Sequence, residues 1–450
     1  MKIVVCAKVC DGEINIFDKS AIESALLISN DVTVVSMGPK SIEGTLTELT
    51  RLGVKVIWLC DNKFAGADTV STAYILSQAI RKLEYDLIIC GRQTTDGDTA
   101  QTPPMLSVNL NLPIITNVLE IICVDKEIKC RTRVGMESES LPAIISVERI
   151  NTLRFPRMRS KTQPICEWNA ENIEADISKC GFSGSPTRVV KSFENKKGKR
   201  KCKFIKRDEL PILIEQLLKE ERAEVAYEQS DVLFENVWAV GNTVEKEAKK
   251  IAKTVTLIEE TDPAQIAKMA QNEKPQVILW NADLWGRKNA PIAAVHLNTG
   301  LCADCVRLET DGETLFMYRP ARSGNIIAKI ICTTNPQMAT VRCVSEACDV
   351  IVSAGRGVIE ELDRVEAFAK EINAEFCSSR AVVDAGEMNI ETQIGLTGRS
   401  VSPKVYIAVG ISGAVHHTCA IENAQTVIAV NPDKNARIFE YADYGILEEF

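Results

Sequence analysis

The 450 residues, 45% hydrophobic and 25% charged with 24 Gly and 16 Pro, have the totals of a folded globular chain of about three domains, which excludes collagen-like and disordered architectures. With 53 basic against 61 acidic residues the net charge is −8, which argues against nucleic acid or an anionic membrane as the main partner. The 16 cysteines follow no disulfide framework, MKIVVCAKVC is too short an apolar run for a secretory signal, and no stretch reaches the ~18 apolar residues of a membrane span, so free thiols in a reducing cytoplasm and no membrane insertion are expected.

In chain order, IVVCA (3–7), VTVVSM (32–37), VKVIWLC (54–60), DLIICG (86–91) and AIISVE (143–148) are short apolar runs that read as buried strands. Amphipathic stretches separate them, the first from Ala21 to Ile28 behind a cap at Asp18 or Ser20. Alternation of strand and helix predicts a mostly parallel sheet, hence an α/β fold. The loop GRQTTDGDTAQTPP after DLIIC has the Gly, Thr and Asp content of a chain that wraps a nucleotide, with Asp96 and Asp98 turning it and Pro103 near a helix start. A plain turn with capping residues has the same composition.

Residues 86–148 repeat in 276–332. Each copy gives a strand, a polar loop, a helix and a Leu-Asn pair, with Leu110 and Leu297 lying 187 apart. Asp125 and Asp311, 186 apart, each open a hairpin-like segment, and AIISV is matched to NIIAKII downstream. Two related α/β units are therefore predicted. Between them, residues 187–232 read as a charged tail and linker, with a solvated basic loop from Lys196 to Arg207 and a helical stretch LPILIEQLLKEERAEVA. Cys302 and Cys305 form the one CxxC; lacking a second pair or a nearby His, they read as small buried apolar residues, and no metal site is expected.

From residue 349 the strands DVIVSA, VYIAV and TVIAV end in Gly, Ser or Asn, the places where a doubly wound sheet binds ligands at its carboxyl edge. After VYIAV, the small residues Gly410, Ser412 and Gly413 let backbone N–H groups approach an anion or a carbonyl edge. Two of the three histidines follow at His416 and His417; adjacent helical residues diverge by about 100°, so one faces a bound ring and the other packs outward. Arg356 in GRG and Arg380 in SSR put cations at two more strand ends, where they can meet phosphate or developing negative charge. No Walker loop, G-x-S-x-G elbow or HExxH occurs, which disfavours a dedicated acid–base enzyme.

These residues resemble the electron transfer flavoprotein family, a β-type subunit followed by an α-type subunit on one chain. The β-type likeness rests on FDKSAIESALLI, CGRQTTDGDTAQ, LPAIISVERIN and GSPTRVV; the α-type likeness on GRKNAPIAAVHLNTGLCADC, YRPARSGN and TVR. SAGRGV, SSRAVVDAG, QIGLTGRSVSPKVYIAVGISGAVHH, IAVN and ADYG then follow in the order of the family's FAD domain. The resemblance implies a β-type α/β domain over 1–186, a tail and linker over 187–235, and a shortened α-type α/β domain, lacking early strands, over 236–345. A flavodoxin- or Rossmann-like FAD-binding domain over 346–450 completes it, the fused chain replacing the usual heterodimer.

By resemblance, FAD is held by Arg356, Ser379, Arg380, Gln393, Ile394, Gly395, Leu396, Thr397, Ser412, Gly413, Ala414, Val415, His416, His417, Asn431, Asp443 and Tyr444. His417 would donate toward the flavin C2 carbonyl, Arg380 would lie near the ring, Thr397 would bond at N5, and Asn431 and Asp443 would fix the adenosine and ribitol ends. A second nucleotide would sit against Cys6, Asn15, Ile16, Phe17, Asp18, Met37 and the loop Arg92, Gln93, Thr94, Thr95, Asp96, Gly97, Asp98, Thr99, Ala100, Gln101, Thr102 and Pro103. That nucleotide is AMP in ordinary members and a second FAD in electron-bifurcating ones; DGDTAQ is similar to the bifurcating spelling and points to FAD. The implied function is a redox carrier rather than a stand-alone enzyme, taking electrons from a flavoprotein dehydrogenase such as the acyl-CoA dehydrogenase of fatty acid β-oxidation and passing them to a downstream acceptor. The alternatives are a bifurcating protein that oxidises NADH and reduces ferredoxin, and a non-redox adenine-nucleotide-binding regulator.

Overall fold

The computed structural model describes residues 1–194, 200–219, 232–322, 326–342, 344–345, 348–395 and 397–450. Two compact units result, residues 1–192 with 230–322 and 328–341, and residues 193–229 with 323–327 and 342–450.

The first unit opens with β1 (Lys2–Cys6), α1 (Ile16–Ile28), β2 (Asp31–Met37), β3 (Lys55–Leu59), β4 (Leu87–Gly91), α2 (Thr102–Leu110), β5 (Ile114–Val124), β6 (Glu127–Thr132), β7 (Gly135–Ser140), β8 (Ala143–Val147) and β9 (Cys166–Trp168). They form one sheet in the order β9-β3-β2-β1-β4-β8-β5-β6-β7, parallel except for the antiparallel pairs β5/β6 and β6/β7. The central strands are apolar on both faces because helices cover both.

Helix α1 starts five residues before the predicted stretch, with Asn15 as its N-cap residue. Asp18 and Ser20 are therefore not caps. Both are buried inside the helix, where Asp18 accepts from the Lys8 N–H at 2.8 Å and Ser20 donates to the Glu148 carbonyl at 2.9 Å. Gly91 is what lets α1 lie so close to β4, since a Cβ there would sit 2.7 Å from the Phe17 carbonyl carbon.

After β10 (Thr187–Glu194), the same unit continues with β11 (Phe234–Val240), β12 (Ala252–Ile258), β13 (Val277–Asn281), α3 (Leu284–Leu297), β14 (Leu301–Cys305), β15 (Arg307–Thr310), β16 (Leu315–Ala321), β17 (Ile326–Cys332) and β18 (Gln337–Val341). The parallel sheet β12-β11-β13-β18-β14 repeats the order β2-β1-β4-β8-β5 strand for strand. The Leu-Asn pair is the helix stop in both copies: Asn111 and Asn298 cap α2 and α3 in the left-handed region, at φ 54° and 50°.

The repeat slips by one strand in the sequence comparison. AIISV (β8) corresponds to QMATV (β18), not to NIIAKII, which is β17 of a separate sheet ordered β10-β17-β16-β15. Short apolar runs are shared by many strands, so pattern alone does not fix which strand matches which. The two early strands β11 and β12 are present, one fewer than the three that precede β4. Met105 and Leu106 of α2 and Ala290, Ala293 and Ala294 of α3 share one core.

The second unit contains β19 (Val350–Ala354), β20 (Glu375–Ser379), α4 (Arg380–Asp384), β21 (Gln393–Ile394), β22 (Val405–Val409), α5 (Val415–Thr418), β23 (Thr426–Val430) and β24 (Tyr444–Ile446). With the short strand Lys203–Phe204 these make an all-parallel sheet ordered 203/204-β24-β23-β22-β19-β20-β21. The segment read as tail and linker is thus built in where it is described: β10 joins a sheet, Lys203–Phe204 extends another, and the helix Leu210–Lys219 buries Leu210, Ile214 and Leu217 in the core around β22. Its apolar stripe at i, i+4, i+7 requires such a partner. The rest of that helical call, and Lys196 to Lys199 of the basic loop, lie outside the described residues. No described helix is long and apolar enough to cross a membrane.

Candidate functional site

In the second unit the carboxyl ends of β19, β20, β21, β22 and β23 bring most of the predicted residues to one edge. Gly355 follows β19, and a Cβ on it would lie 2.5 Å from the Gly410 carbonyl carbon, so only glycine lets these two strand ends meet. Arg356 follows, exposed. Ser379 ends β20 and is the N-cap residue of α4, whose first residue Arg380 donates from Nε to Asp384 at 2.9 Å. Gln393 and Ile394 form β21, fully buried, and Gln393 donates to the Thr397 hydroxyl at 2.6 Å. Gly395 has φ 149° and receives close backbone from His416. Leu396 lies outside the described residues.

After β22 the chain turns through Gly410 and Gly413, at φ 64° and 84°, into the short α5. Ser412, Ala414 and His416 are exposed, Val415 is half-buried, and His417 is buried. The Tyr406 hydroxyl lies 2.7 Å from His417 Nε2, while Nδ1 finds no partner of good hydrogen-bond geometry. Burial pushes the imidazole down to about 4, against a small opposite pull from the Ile394 backbone, so the ring is neutral. Asn431, after β23, donates to the Ile411 carbonyl at 3.0 Å and so ties two strand ends together.

Asp443 and Tyr444 do not join this edge. Asp443 lies beside Val427 at the start of β23, its backbone N–H donating to the Val427 carbonyl, and its carboxylate accepts from the Val427 N–H and is ion-paired with Arg200. Tyr444 is paired with Ile428 and Lys203. In a parallel sheet both sit at the amino end, the opposite end from Asn431. The Asn431 N–H instead reaches the Ile446 carbonyl, which places Leu447 and Glu448 beside Asn431. Counting residues to the end of the last strand would have located them.

The rest of this edge fits an extended dinucleotide. Gly355 and Gly413 let neighbouring backbone pack closely at the strand ends, cations stand at Arg356 and Arg380, and His417 Nδ1 is buried without a partner of good hydrogen-bond geometry.

In the first unit the carboxyl ends of β1, β2, β3 and β4 surround a cavity of about 1160 Å³. Of the predicted residues, Cys6, Asp18, Met37, Arg92, Gln93, Thr94, Gly97, Thr99, Ala100, Gln101, Thr102 and Pro103 line it. Asn15, Ile16, Phe17, Thr95, Asp96 and Asp98 do not. Asn15 instead ties the loop from behind, donating to the Gln93 carbonyl at 2.9 Å and accepting from Thr95 N–H at 3.2 Å. Gly38, Pro39, Lys40, Cys60, Asp61 and Phe64 also line the cavity and were missed, although they follow the predicted strands directly and the carboxyl-edge rule points to them.

Burial raises the Asp18 carboxyl to about 7 despite hydrogen bonds from the Lys8 and Gly91 backbone. Asp96 is also pushed up by burial, but its ion pair with Lys8 outweighs that and holds it at about 2. The 92–103 loop contains two non-glycine residues in the left-handed region, Asp98 at φ 51° and Ala100 at φ 54°. Arg319, buried in β16, grips it: its guanidinium donates to the carbonyls of Gly97 at 2.6 Å, Asp98 at 3.0 Å and Ala303 at 2.8 Å. Gln101 adds a bond to the Leu301 carbonyl at 3.1 Å. Neither anchor is legible in sequence, because each joins residues about 200 positions apart.

Cys302 and Cys305 are buried in β14 as expected, the fourteen cysteines whose side chains are described are free, and no metal-ligating cluster occurs among the described residues.

The electron transfer flavoprotein domain family matches residues 3–173 and 247–367, and the electron transfer flavoprotein FAD-binding domain matches residues 345–422. The chain is 35% identical to an electron transfer flavoprotein subunit alpha of Thermoanaerobacterium thermosaccharolyticum, over 40% of this chain and 69% of that protein. It is 34% identical to an electron transfer flavoprotein subunit beta of Clostridium acetobutylicum, over 40% of this chain and 74% of that protein. It is also 36% identical to the lactate dehydrogenase (NAD(+),ferredoxin) subunit LctC of Acetobacterium woodii, over 39% of this chain and 53% of that protein.

Proposed function

Because the chain belongs to the electron transfer flavoprotein family, we propose that it carries electrons on an FAD held along the carboxyl edge of the second unit's sheet, between a partner flavoprotein dehydrogenase and a downstream acceptor. Bound there, FAD supplies one- and two-electron redox chemistry. The observation that carries this reading is His417, a buried neutral imidazole with one nitrogen unpartnered at an edge otherwise built of glycine turns and cations.

The chain's own residues have distinct tasks. Arg356 and Arg380 offer positive charge where phosphate or added electrons bring negative charge. Thr397, positioned by Gln393, offers a hydroxyl beside the ring site. Gly413 admits close backbone, since a Cβ there would meet Ile438 Cα at 2.5 Å. For partner contact, Phe155 and Met158 stand 94% and 98% exposed with Arg157 and Arg159 exposed alongside, an apolar and basic loop suited to an acyl-CoA dehydrogenase-like flavoprotein surface.

For the first unit's cavity we propose a second FAD rather than AMP. A volume of about 1160 Å³ exceeds the ~300–1000 Å³ of ordinary small-ligand pockets, more than a mononucleotide requires. The likeness to a protein whose name carries NAD(+) and ferredoxin favours a bifurcating variant of the same reading. Extraction and quantitation of flavin and AMP from purified protein tests both. Two flavins per chain are expected; one flavin with stoichiometric AMP would leave the single-flavin carrier standing and overturn the second FAD, and no flavin, even after reconstitution, would overturn the carrier itself.

A further inference from the structure

The two ring nitrogens of His417 are in opposite circumstances. Nε2 is 2.7 Å from the Tyr406 hydroxyl, and Nδ1 is buried with no partner of good geometry. Tyr406 has little freedom to move: it is 0% exposed, the second residue of β22, and paired on both sides with Ile351 and Val427. Its ring lies in an apolar cluster with Cys377, Ile394 and Val401. Burial keeps the phenol protonated and the imidazole neutral.

A neutral imidazole has one N–H and one lone pair, and a phenol has one hydrogen to donate. Two arrangements of these two protons are possible. If Nε2–H donated to the tyrosine oxygen, the phenolic hydrogen would turn to the buried Ser353 hydroxyl, but Nδ1 would present a bare lone pair with the Ile394 backbone carbonyl beside the ring. If the phenol donates to Nε2, its hydrogen is satisfied and the imidazole proton stands on Nδ1. The second arrangement leaves on Nδ1 a donor aimed away from Tyr406, with the Ile394 carbonyl near the ring but not in good hydrogen-bond geometry.

We propose that Tyr406 is a positioning residue that donates its hydroxyl hydrogen to His417 Nε2, locks the imidazole in the Nδ1–H tautomer, and so makes Nδ1–H the donor offered to a carbonyl of the flavin ring. The flavin half of this statement rests on the FAD reading above; the tautomer half does not. Tyr406 carries no signal in sequence, since it reads as one more apolar member of VYIAV.

The test is ¹⁵N-histidine NMR of the full chain stripped of cofactor, in which protonated and bare ring nitrogens resonate far apart. With three histidines in the chain, His417→Gln assigns the signal. Wild type is expected to show His417 protonated on Nδ1, and Tyr406→Phe to lose that preference, with a mixture or the Nε2–H form appearing. In the flavin-loaded protein, Tyr406→Phe is expected to lower the ratio of reduced- to oxidised-flavin affinity by about tenfold, the equivalent of one lost hydrogen bond. A wild-type signal protonated on Nε2 overturns the proposal, and this measurement stands even if the variant fails to fold. Unchanged His417 shifts in a folded Tyr406→Phe overturn it equally. Failure to take up flavin with the Nδ1–H form present would overturn the FAD reading and leave the lock intact.

Discussion

Replacing Arg319 by alanine would separate the shape of the 92–103 loop from its composition. The buried guanidinium makes three hydrogen bonds to carbonyls, two of them in the loop. Bonds to a charged group contribute roughly 1.5–3 kcal/mol each, so the two loop bonds together offset roughly 3–6 kcal/mol. Against them stand the left-handed conformations of Asp98 and Ala100, which cost roughly 1–2 kcal/mol apiece, or about 2–4 kcal/mol for the pair. Without Arg319 the loop relaxes, and a nucleotide must restore the strained form on binding. Affinity at the first unit's cavity is therefore expected to fall by about 30- to 700-fold, at about 1.4 kcal/mol per decade. The assay is the amount of nucleotide, AMP or flavin, retained per chain at the first unit's cavity after dialysis, with flavin at the second unit's edge as internal control. Arg319→Ala protein that is folded and retains wild-type nucleotide at that cavity would refute the reasoning, because the loop would then hold its shape by itself.

Four further outcomes are expected. Asp18→Asn should gain stability over wild type as pH rises: a carboxyl raised to about 7 when folded favours the folded state below its unfolded value of 3.8 and loses that contribution as pH climbs through 7, at most about 4 kcal/mol. Urea melts at pH 5 and pH 8 that show the same difference between the two proteins would contradict it. Gly355→Ala should destabilise the second unit by about 3 kcal/mol and lose flavin, because backbone cannot yield, whereas Gly44→Ala, with nothing within 4 Å, should be neutral or stabilising by up to about 1 kcal/mol in the helix Glu43–Leu49; thermal melts decide. His417→Ala and Arg380→Ala should each remove roughly 1.5–3 kcal/mol of preference for reduced flavin, and redox titrations that superimpose on wild type would dismiss those roles. Phe155→Ala combined with Met158→Ala should slow reduction by a partner dehydrogenase without altering flavin content, and unchanged stopped-flow rates would clear that loop of partner contact.

Local chemistry made much of the candidate site legible. Strand ends rich in Gly and Ser, arginines just beyond them and the paired histidines all act within a few residues of where they stand, so spelling alone sufficed to set Arg356, Arg380, Gly413 and His417 at the strand ends where they lie. The cavity-lining residues after β2 and β3 were within reach of the same rule and needed only to be counted.

The amino-acid sequence by itself determined the α/β class, the positions of the buried strands, the doubled unit and the order of the family motifs, because periodicity and turn chemistry are local properties. Tertiary structure alone decided which strand of one half matches which strand of the other, since short apolar runs fit any parallel neighbour. It alone decided that Asp443 belongs to the amino end of the sheet, paired with Arg200 across more than 200 residues, because strand register is set by packing and not by spelling. The grip of Arg319 on the nucleotide loop and of Tyr406 on His417 arises in the same way: each is a hydrogen bond between groups that meet only after the sheets have formed, and a buried donor without its acceptor is too costly for either residue to sit elsewhere.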